Sequence, residues 1–107
     1  MKFDTDKLPY HLVDDDAEAE MVAVLGFGAV KYEPWNWLSV EDARERFYAA
    51  IRRHFRESRS GKVLDAEHGL FSLASVATCA HFLLALELRA NPELRDSLPA
   101  RFAAALE

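Results

Sequence analysis

Stretches with helical apolar spacing alternate along this chain with short polar breaks. Ala17, Met21, Val24, Leu25 and Gly28 fall on one face of a 3.6-residue period, and the run DDDAEAE at residues 14–20 opens that stretch. Carboxylates suit a helix N-terminus, where unpaired N–H groups and the helix dipole favour negative charge. The spacing predicts a first helix that starts at residues 14–16 and ends at 30–32, since Pro34 disfavours helix at Glu33. Val40, Ala43, Phe47, Ala50, Ile51, His54 and Phe55 predict a second, from Ser39 or Val40 to about Arg59, with Ser39 as N-cap and Ser60-Gly61 as the stop. Residues 70–88 are apolar almost all round, interrupted by Ser72, Ser75, Thr78 and His81. A helix without a polar face must be covered on several sides, so this third helix is central or lies in an interface. Asn91-Pro92 reads as an N-cap with proline at the first helical position, opening a fourth helix to about Ala105 with a break near Pro99. Residues 1–13, with Pro9 and no helical period, read as an extended arm with a turn at residues 4–7. The fold class is all-α: a three- to four-helix bundle with an extended N-terminal arm, as a single domain over residues 1–107.

Composition narrows the partners. The net charge of −5 argues against a nucleic-acid polymer, which needs a basic footprint. The charge is uneven, acidic at residues 14–20 and rich in Arg and Lys at 44–62, a split that suits either a metal-bound polyanion or ordinary surface pairing. Cys79 is the one cysteine and sits in an apolar helical run, which excludes a disulfide framework and fits a reducing cytoplasm. The first twelve residues lack the apolar core of a signal peptide, and the apolar stretch around residues 76–86 reads as too short to span a bilayer. The expectation is a cytoplasmic protein with no membrane partner. A domain of this size is marginal alone, and its long apolar faces invite assembly with copies of itself.

Four features could carry chemistry. HxxE-type and CxxC metal signatures read as absent, and His11, His54, His68 and His81 are too scattered to read as a zinc set, which leaves a hard-cation site built from carboxylates. Glu41 and Glu45 lie one helical turn apart, either to grip Mg²⁺ or to compensate a helix dipole. Asp65 and Glu67, in a loop with Gly61 and Gly69, either cap the next helix or form a site. Arg52 and Arg53 could clamp a phosphate or pair with those carboxylates, while His54 falls on the apolar face. In the stretch GFGAVKYEPWNW, Gly26 and Gly28 each cost a helix about 1 kcal/mol relative to alanine, which predicts close packing against them. Lys31 shares a helical stripe with Glu20, and Trp35 and Trp37 flank Asn36, placed either to stack on a base or to seal the bundle end.

Four ordered segments, KFDTDKLPYHLV, FGAVKYEPWNW, FYAAIRRHF and SGKVLDAEHGL, spread over residues 2–86, resemble a phage-associated family called dATP/dGTP diphosphohydrolase, N-terminal domain, which is related to MazG-like all-α nucleotide pyrophosphohydrolases. The resemblance implies release of pyrophosphate from a purine (deoxy)nucleoside triphosphate. It implies Mg²⁺ held by helix carboxylates, with Mn²⁺ as the substitute. It further implies a homo-dimer or homo-tetramer whose sites are completed by helices from different subunits. By position it picks out Asp4, Lys7, Lys31, Tyr32, Asn36, Trp37, Arg53, His54, Gly61, Asp65, Glu67 and Gly69. On this pattern Asp65 and Glu67 hold the metal, with Glu20 as a further carboxylate. Lys31, Arg53 and His54 serve catalysis at the phosphates, and Lys7, Tyr32, Asn36 and Trp37 bind the substrate. Lys62 stands where the pattern has glutamate, and Ser72 where it has histidine. Those departures motivate an alternative: a non-catalytic nucleotide-binding or helical assembly module on the same scaffold.

Overall fold

The structure is a computed structural model that describes residues 7–107, so Asp4 and the start of the expected arm turn lie outside the described residues. The chain is all-α, with helices α1 (Asp15–Lys31), α2 (Ala43–Arg59), α3 (Ser72–Ala90), α4 (Pro92–Asp96) and α5 (Leu98–Ala105). No strand occurs among the described residues beyond an isolated antiparallel bridge between Leu64 and Phe71. Within the arm, Tyr10–Leu12 forms a single 3₁₀ turn.

Local chemistry sets most boundaries. The Asp14 carboxylate accepts the Ala17 N–H at 2.8 Å and caps α1, as its position before the acidic run predicts. The far end closes where the Tyr32 N–H donates to the Gly28 carbonyl at 2.9 Å. α2 starts later than its apolar spacing predicts. Ser39 does not cap it; its hydroxyl donates to the Asn36 carbonyl at 3.0 Å and closes a 3₁₀ turn over Asn36–Ser39. Trp35 (φ 65°) and Asp42 (φ 54°) bracket that turn in the left-handed region, and the chain enters α2 only after Asp42. The last helical stretch breaks at Ser97 rather than at Pro99, which instead occupies the first turn of α5.

α3 is the hub: it packs on α2, on α1 and on α4. Its buried residues are Ser72, Ala74, Ser75 and Thr78, all small. A seam of small side chains lets helix backbones approach closely, and its hydroxyls must then be bonded internally. The Thr78 hydroxyl donates to the Ala74 carbonyl at 2.8 Å and lies 3.4 Å from the Met21 carbonyl of α1. α3 is also long and apolar enough to cross a membrane by length and composition, so the apolar stretch is not too short, contrary to the sequence reading. It packs against α1 and α2, with Ser72, Ala74, Ser75 and Thr78 buried.

The apolar core within one protomer is thin. Ala74, 6% exposed, is the one buried apolar residue among the described residues, whereas Leu73 and Leu84 are 53% and 58% exposed and Val30 is 89% exposed. Gly26 and Gly28 do not serve close packing inside the protomer, because a Cβ added at either would meet nothing within 4 Å.

Ser72 ties α3 to the preceding loop. It is fully buried, its N–H donates to the Val63 carbonyl at 2.8 Å and its hydroxyl to the Lys62 carbonyl at 3.2 Å. Ser72→Ala leaves that carbonyl without its partner and is expected to cost about 1–2 kcal/mol. In a thermal melt that corresponds to a fall of about 4–8 °C for a domain of this size.

Candidate cation site and its surroundings

Two elements bring the site together. His54 and Glu57 are three residues apart on α2 and so share a face. Asp65 comes from the loop between α2 and α3. That loop is held at both ends: the Lys62 N–H donates to the Glu57 carbonyl at 3.0 Å, and the Asp65 N–H donates to the Leu70 carbonyl at 2.8 Å. Gly61 (φ 93°) and Gly69 (φ 72°) make the two turns that close it, a conformation that strains any residue with a Cβ.

Side-chain bonds then aim Asp65. Its Oδ1 accepts the Glu67 N–H at 2.7 Å, an Asx turn that leaves Oδ2 facing α2. His54 Nδ1 lies 3.7 Å from Asp65 Oδ2 and 3.9 Å from Glu57 Oε2. Both separations are too long for hydrogen bonds, and His54 Nδ1 is a buried polar atom without a partner. Ligand atoms of His54, Glu57 and Asp65 all lie within 4.8 Å of one another. The three side chains are half-buried or better, 15%, 30% and 14% exposed respectively.

Charge states follow from these surroundings. Burial lowers the His54 pKa and the Arg53 charge lowers it further, against opposing pulls from Asp65 and Glu57. Burial pushes Asp65 upward, but the Glu67 backbone N–H, the His68 charge and their neighbours outweigh it, and its carboxyl is held below the usual range. The pair is therefore neutral imidazole beside carboxylate. His68 flanks Asp65 from the other side: its Nδ1 accepts the Leu70 N–H at 3.1 Å, and its Nε2 lies 3.7 Å from Asp65 Oδ1. The Phe27 ring of α1 packs edge-on against His68 at 4.8 Å. Burial raises the Cys79 thiol, which keeps it a thiol rather than a nucleophile.

Lys31 reaches the same loop from the end of α1. Its ammonium bonds both Glu67 oxygens, at 3.0 and 3.1 Å. It also lies over the Tyr32 ring at 5.3 Å. Glu67 is thus paired with Lys31 and does not face His54, so the expected grouping of Glu67 with Asp65 at one cation is not formed. Glu20 is also outside the cluster. It sits eleven residues before Lys31 on α1, about 16 Å along the helix axis. Lys7 is exposed and makes no bond to another described residue. Arg53, with Arg52, Arg56 and Glu57, lines an open groove of about 610 Å³ on α2.

The two tryptophans form a separate group. Trp37 stacks on Phe82 of α3 at 4.9 Å and 16°, Trp35 leans against it at 5.9 Å, and the Arg89 guanidinium covers it at 5.3 Å. Phe47 of α2 touches the same Phe82 at 5.0 Å. Phe47 precedes His54 by seven residues, about 10 Å along α2. Trp37 therefore braces the far end of the α2–α3 seam, and within one protomer it shares no wall with Lys31. Asn36, half-buried, gives its carbonyl to Ser39.

The model of the family described as dATP/dGTP diphosphohydrolase, N-terminal, matches residues 1–97. The chain belongs to that family. It is 34% identical over 83 residues to a protein named dATP/dGTP diphosphohydrolase from Salmonella phage PMBT28, an alignment that covers 78% of this chain and 28% of the relative. The chain thus spans under a third of that relative's length. No solved structure matches it.

Family membership gives Lys62 and Ser72 a physical reading. Lys62 is exposed, whereas Glu57 supplies a carboxylate to the cluster beside Asp65. Sequence reasoning missed Glu57, although His54-Phe55-Arg56-Glu57 carries the signal: two ligating side chains one helical turn apart. Ser72 is a buried loop anchor rather than a lost ligand.

The His54 environment has a pH consequence. Its folded pKa lies below the ordinary value of 6.5, so the unfolded chain takes up the proton first as pH falls. Stability from this group is complete above that value and is lost as pH drops through it towards the folded pKa. In EDTA-treated protein, His54→Gln is expected to flatten the fall in urea-denaturation stability between about pH 7 and pH 5 relative to wild type.

Proposed function

We propose that this chain carries the site of a nucleoside triphosphate pyrophosphohydrolase that converts a purine (deoxy)nucleoside triphosphate to the monophosphate and pyrophosphate with Mg²⁺. Water attacks the α-phosphorus, and the bond to the oxygen bridging α and β breaks as pyrophosphate leaves. The observation that carries this reading is the meeting of His54, Glu57 and Asp65, of which Glu57 also lines a groove with Arg52, Arg53 and Arg56. Polyphosphate hydrolysis needs that pairing: a cation to neutralise charge and orient water, and guanidinium groups on the phosphates. Family membership and the name of the phage relative support the purine deoxynucleotide class. Arg53 holds phosphate oxygens, and Lys31 joins it by exchanging Glu67 for phosphate. Tyr32 adjoins Lys31 in sequence, Asn36 follows four residues after Tyr32, and both serve the nucleoside end.

A second reading, nucleotide binding without turnover, is favoured by the Lys31–Glu67 pair, which occupies both groups in the free protein. Release of pyrophosphate from all eight nucleotides, followed with added pyrophosphatase, separates the two. Turnover of dGTP or dATP is expected, falling on the order of 100-fold or more in Asp65→Asn. No turnover above an Asp65→Asn/Glu67→Gln control would leave only the binding reading.

The proposal includes self-assembly. The chain exposes 8109 Å², against about 6,000 Å² expected for a folded monomer of its mass. Its radius of gyration is 16.0 Å, against about 13 Å for a compact domain of this length. Leu73, Ala77, Ala80 and Leu84 form an exposed stripe along α3. The excess surface of one chain, on the order of 2,000 Å², is what two or more standard interfaces bury at about 800 Å² per partner. Sedimentation equilibrium is expected to give a dimer or tetramer of the 12.1 kDa chain, and Leu84→Glu to shift it towards monomer. A monomeric wild type at high micromolar concentration would refute the assembly.

A further inference from the structure

We propose that His54, Glu57 and Asp65 form a mixed nitrogen–oxygen site selective for a first-row transition-metal ion over Mg²⁺. This rests on reading Asp65 as a cation ligand and goes beyond it in assigning the ligand set and the metal class.

Three lone pairs converge without satisfying one another. His54 Nδ1 is buried and unpartnered, and Asp65 Oδ2 and Glu57 Oε2 approach it to 3.7 and 3.9 Å. Two atoms bound to one ion at about 2.1 Å stand about 3.0 Å apart when adjacent and about 4.2 Å apart when opposite. Both observed separations fall inside that interval. A proton held between imidazole and carboxylate would instead draw the atoms to within about 3 Å.

The surroundings prepare the set. Asp65 Oδ1 is occupied by the Glu67 N–H, which orients Oδ2 towards α2. The Glu57 carbonyl holds the Lys62 N–H and fixes the loop to the helix turn that bears the carboxylate. Glu67, the other loop carboxylate, is engaged by Lys31 and leaves the site with two carboxylates and one imidazole.

Donor chemistry then selects the metal. Mg²⁺ prefers an octahedron of oxygens and gives up water reluctantly, whereas imidazole nitrogen favours transition metals. Three protein ligands leave positions open for water and phosphate oxygens. Mg²⁺ arrives with the nucleotide, whose phosphates supply the oxygens it prefers.

The test uses the whole chain, stripped with EDTA and dialysed, without nucleotide. Mn²⁺ and Mg²⁺ are titrated separately by calorimetry, and bound Mn²⁺ is read by electron spin-echo spectroscopy. One Mn²⁺ per chain is expected, at least about 10-fold tighter than Mg²⁺, with a ¹⁴N coupling from a directly bound imidazole. His54→Gln is expected to abolish that coupling and to weaken Mn²⁺ at least about 10-fold while leaving Mg²⁺ unchanged. Glu57→Gln, at a less buried position, should weaken Mn²⁺ while its circular dichroism melt stays near that of wild type. Equal affinity for the two ions, or Mn²⁺ bound without ¹⁴N coupling in the wild type, overturns the proposal. The outcomes separate from those of the hydrolysis assay. Mn²⁺ coupled to nitrogen with no turnover defeats only the hydrolase reading, and turnover with no nitrogen coupling defeats only this one.

Discussion

Every long helix in this chain is held through α3. α1 and α2 both pack on it, and α4 continues from its end to α5. The contact is a seam of Ser72, Ala74, Ser75 and Thr78 rather than of large aliphatic side chains. Small residues bury little apolar area, so the seam contributes less hydrophobic stabilisation than a leucine core would. What it provides is closeness and direction. Thr78 reaches backbone carbonyls on both α3 and α1, and Ser72 reaches the loop before it. The aliphatic side chains that a monomeric bundle would turn inward are spread over its surface. A thin core and an exposed apolar stripe are two sides of one sequence decision.

The cluster of His54, Glu57 and Asp65 inherits its geometry from that seam. Ser72 begins α3 and holds Lys62 and Val63, so the loop leaves α2 and rejoins α3 at fixed points. With both ends fixed, Asp65 has one place to go, and the Asx turn to Glu67 chooses which of its oxygens faces His54. A change at Ser72 therefore acts on the site without touching any ligand. Ser72, where the family resemblance expects histidine, has no solvent access.

Much of this was legible in the residues, and the failures have identifiable causes. The acidic start of α1 and the proline after it bounded that helix correctly, because capping and proline sterics act within a few residues. The start of α2 was misread because Ser39 has two uses for its hydroxyl, and the left-handed backbone at Trp35 and Asp42 leaves no mark in the pattern. Gly26 and Gly28 imply a close neighbour only if one exists in the protomer, and none does. Asp65 was found through the ordered blocks. Glu57 was passed over because a charged residue late in an amphipathic helix reads as solvated surface, and only folding the loop back brings it beside Asp65.

The Lys31–Glu67 pair gives the site a means of responding to its ligand. Lys31 gains its raised pKa from the bond to Glu67, yet both side chains are about half exposed. An ion pair so open to solvent contributes little, because water and salt compete for each partner. A triphosphate presents several charges and geometrically matched oxygens to the same ammonium, and outcompetes a single carboxylate at little cost. On the proposed reading, the exchange has a second effect. It frees the Glu67 carboxylate, two residues from Asp65 in the loop that would hold the cation. Negative charge released there strengthens retention of a divalent ion, and the ion in turn attracts phosphate. Linkage makes the two effects reciprocal. A weak surface pair thereby couples the α1 end of the molecule to the metal ligands on α2, and its weakness is what lets the coupling operate.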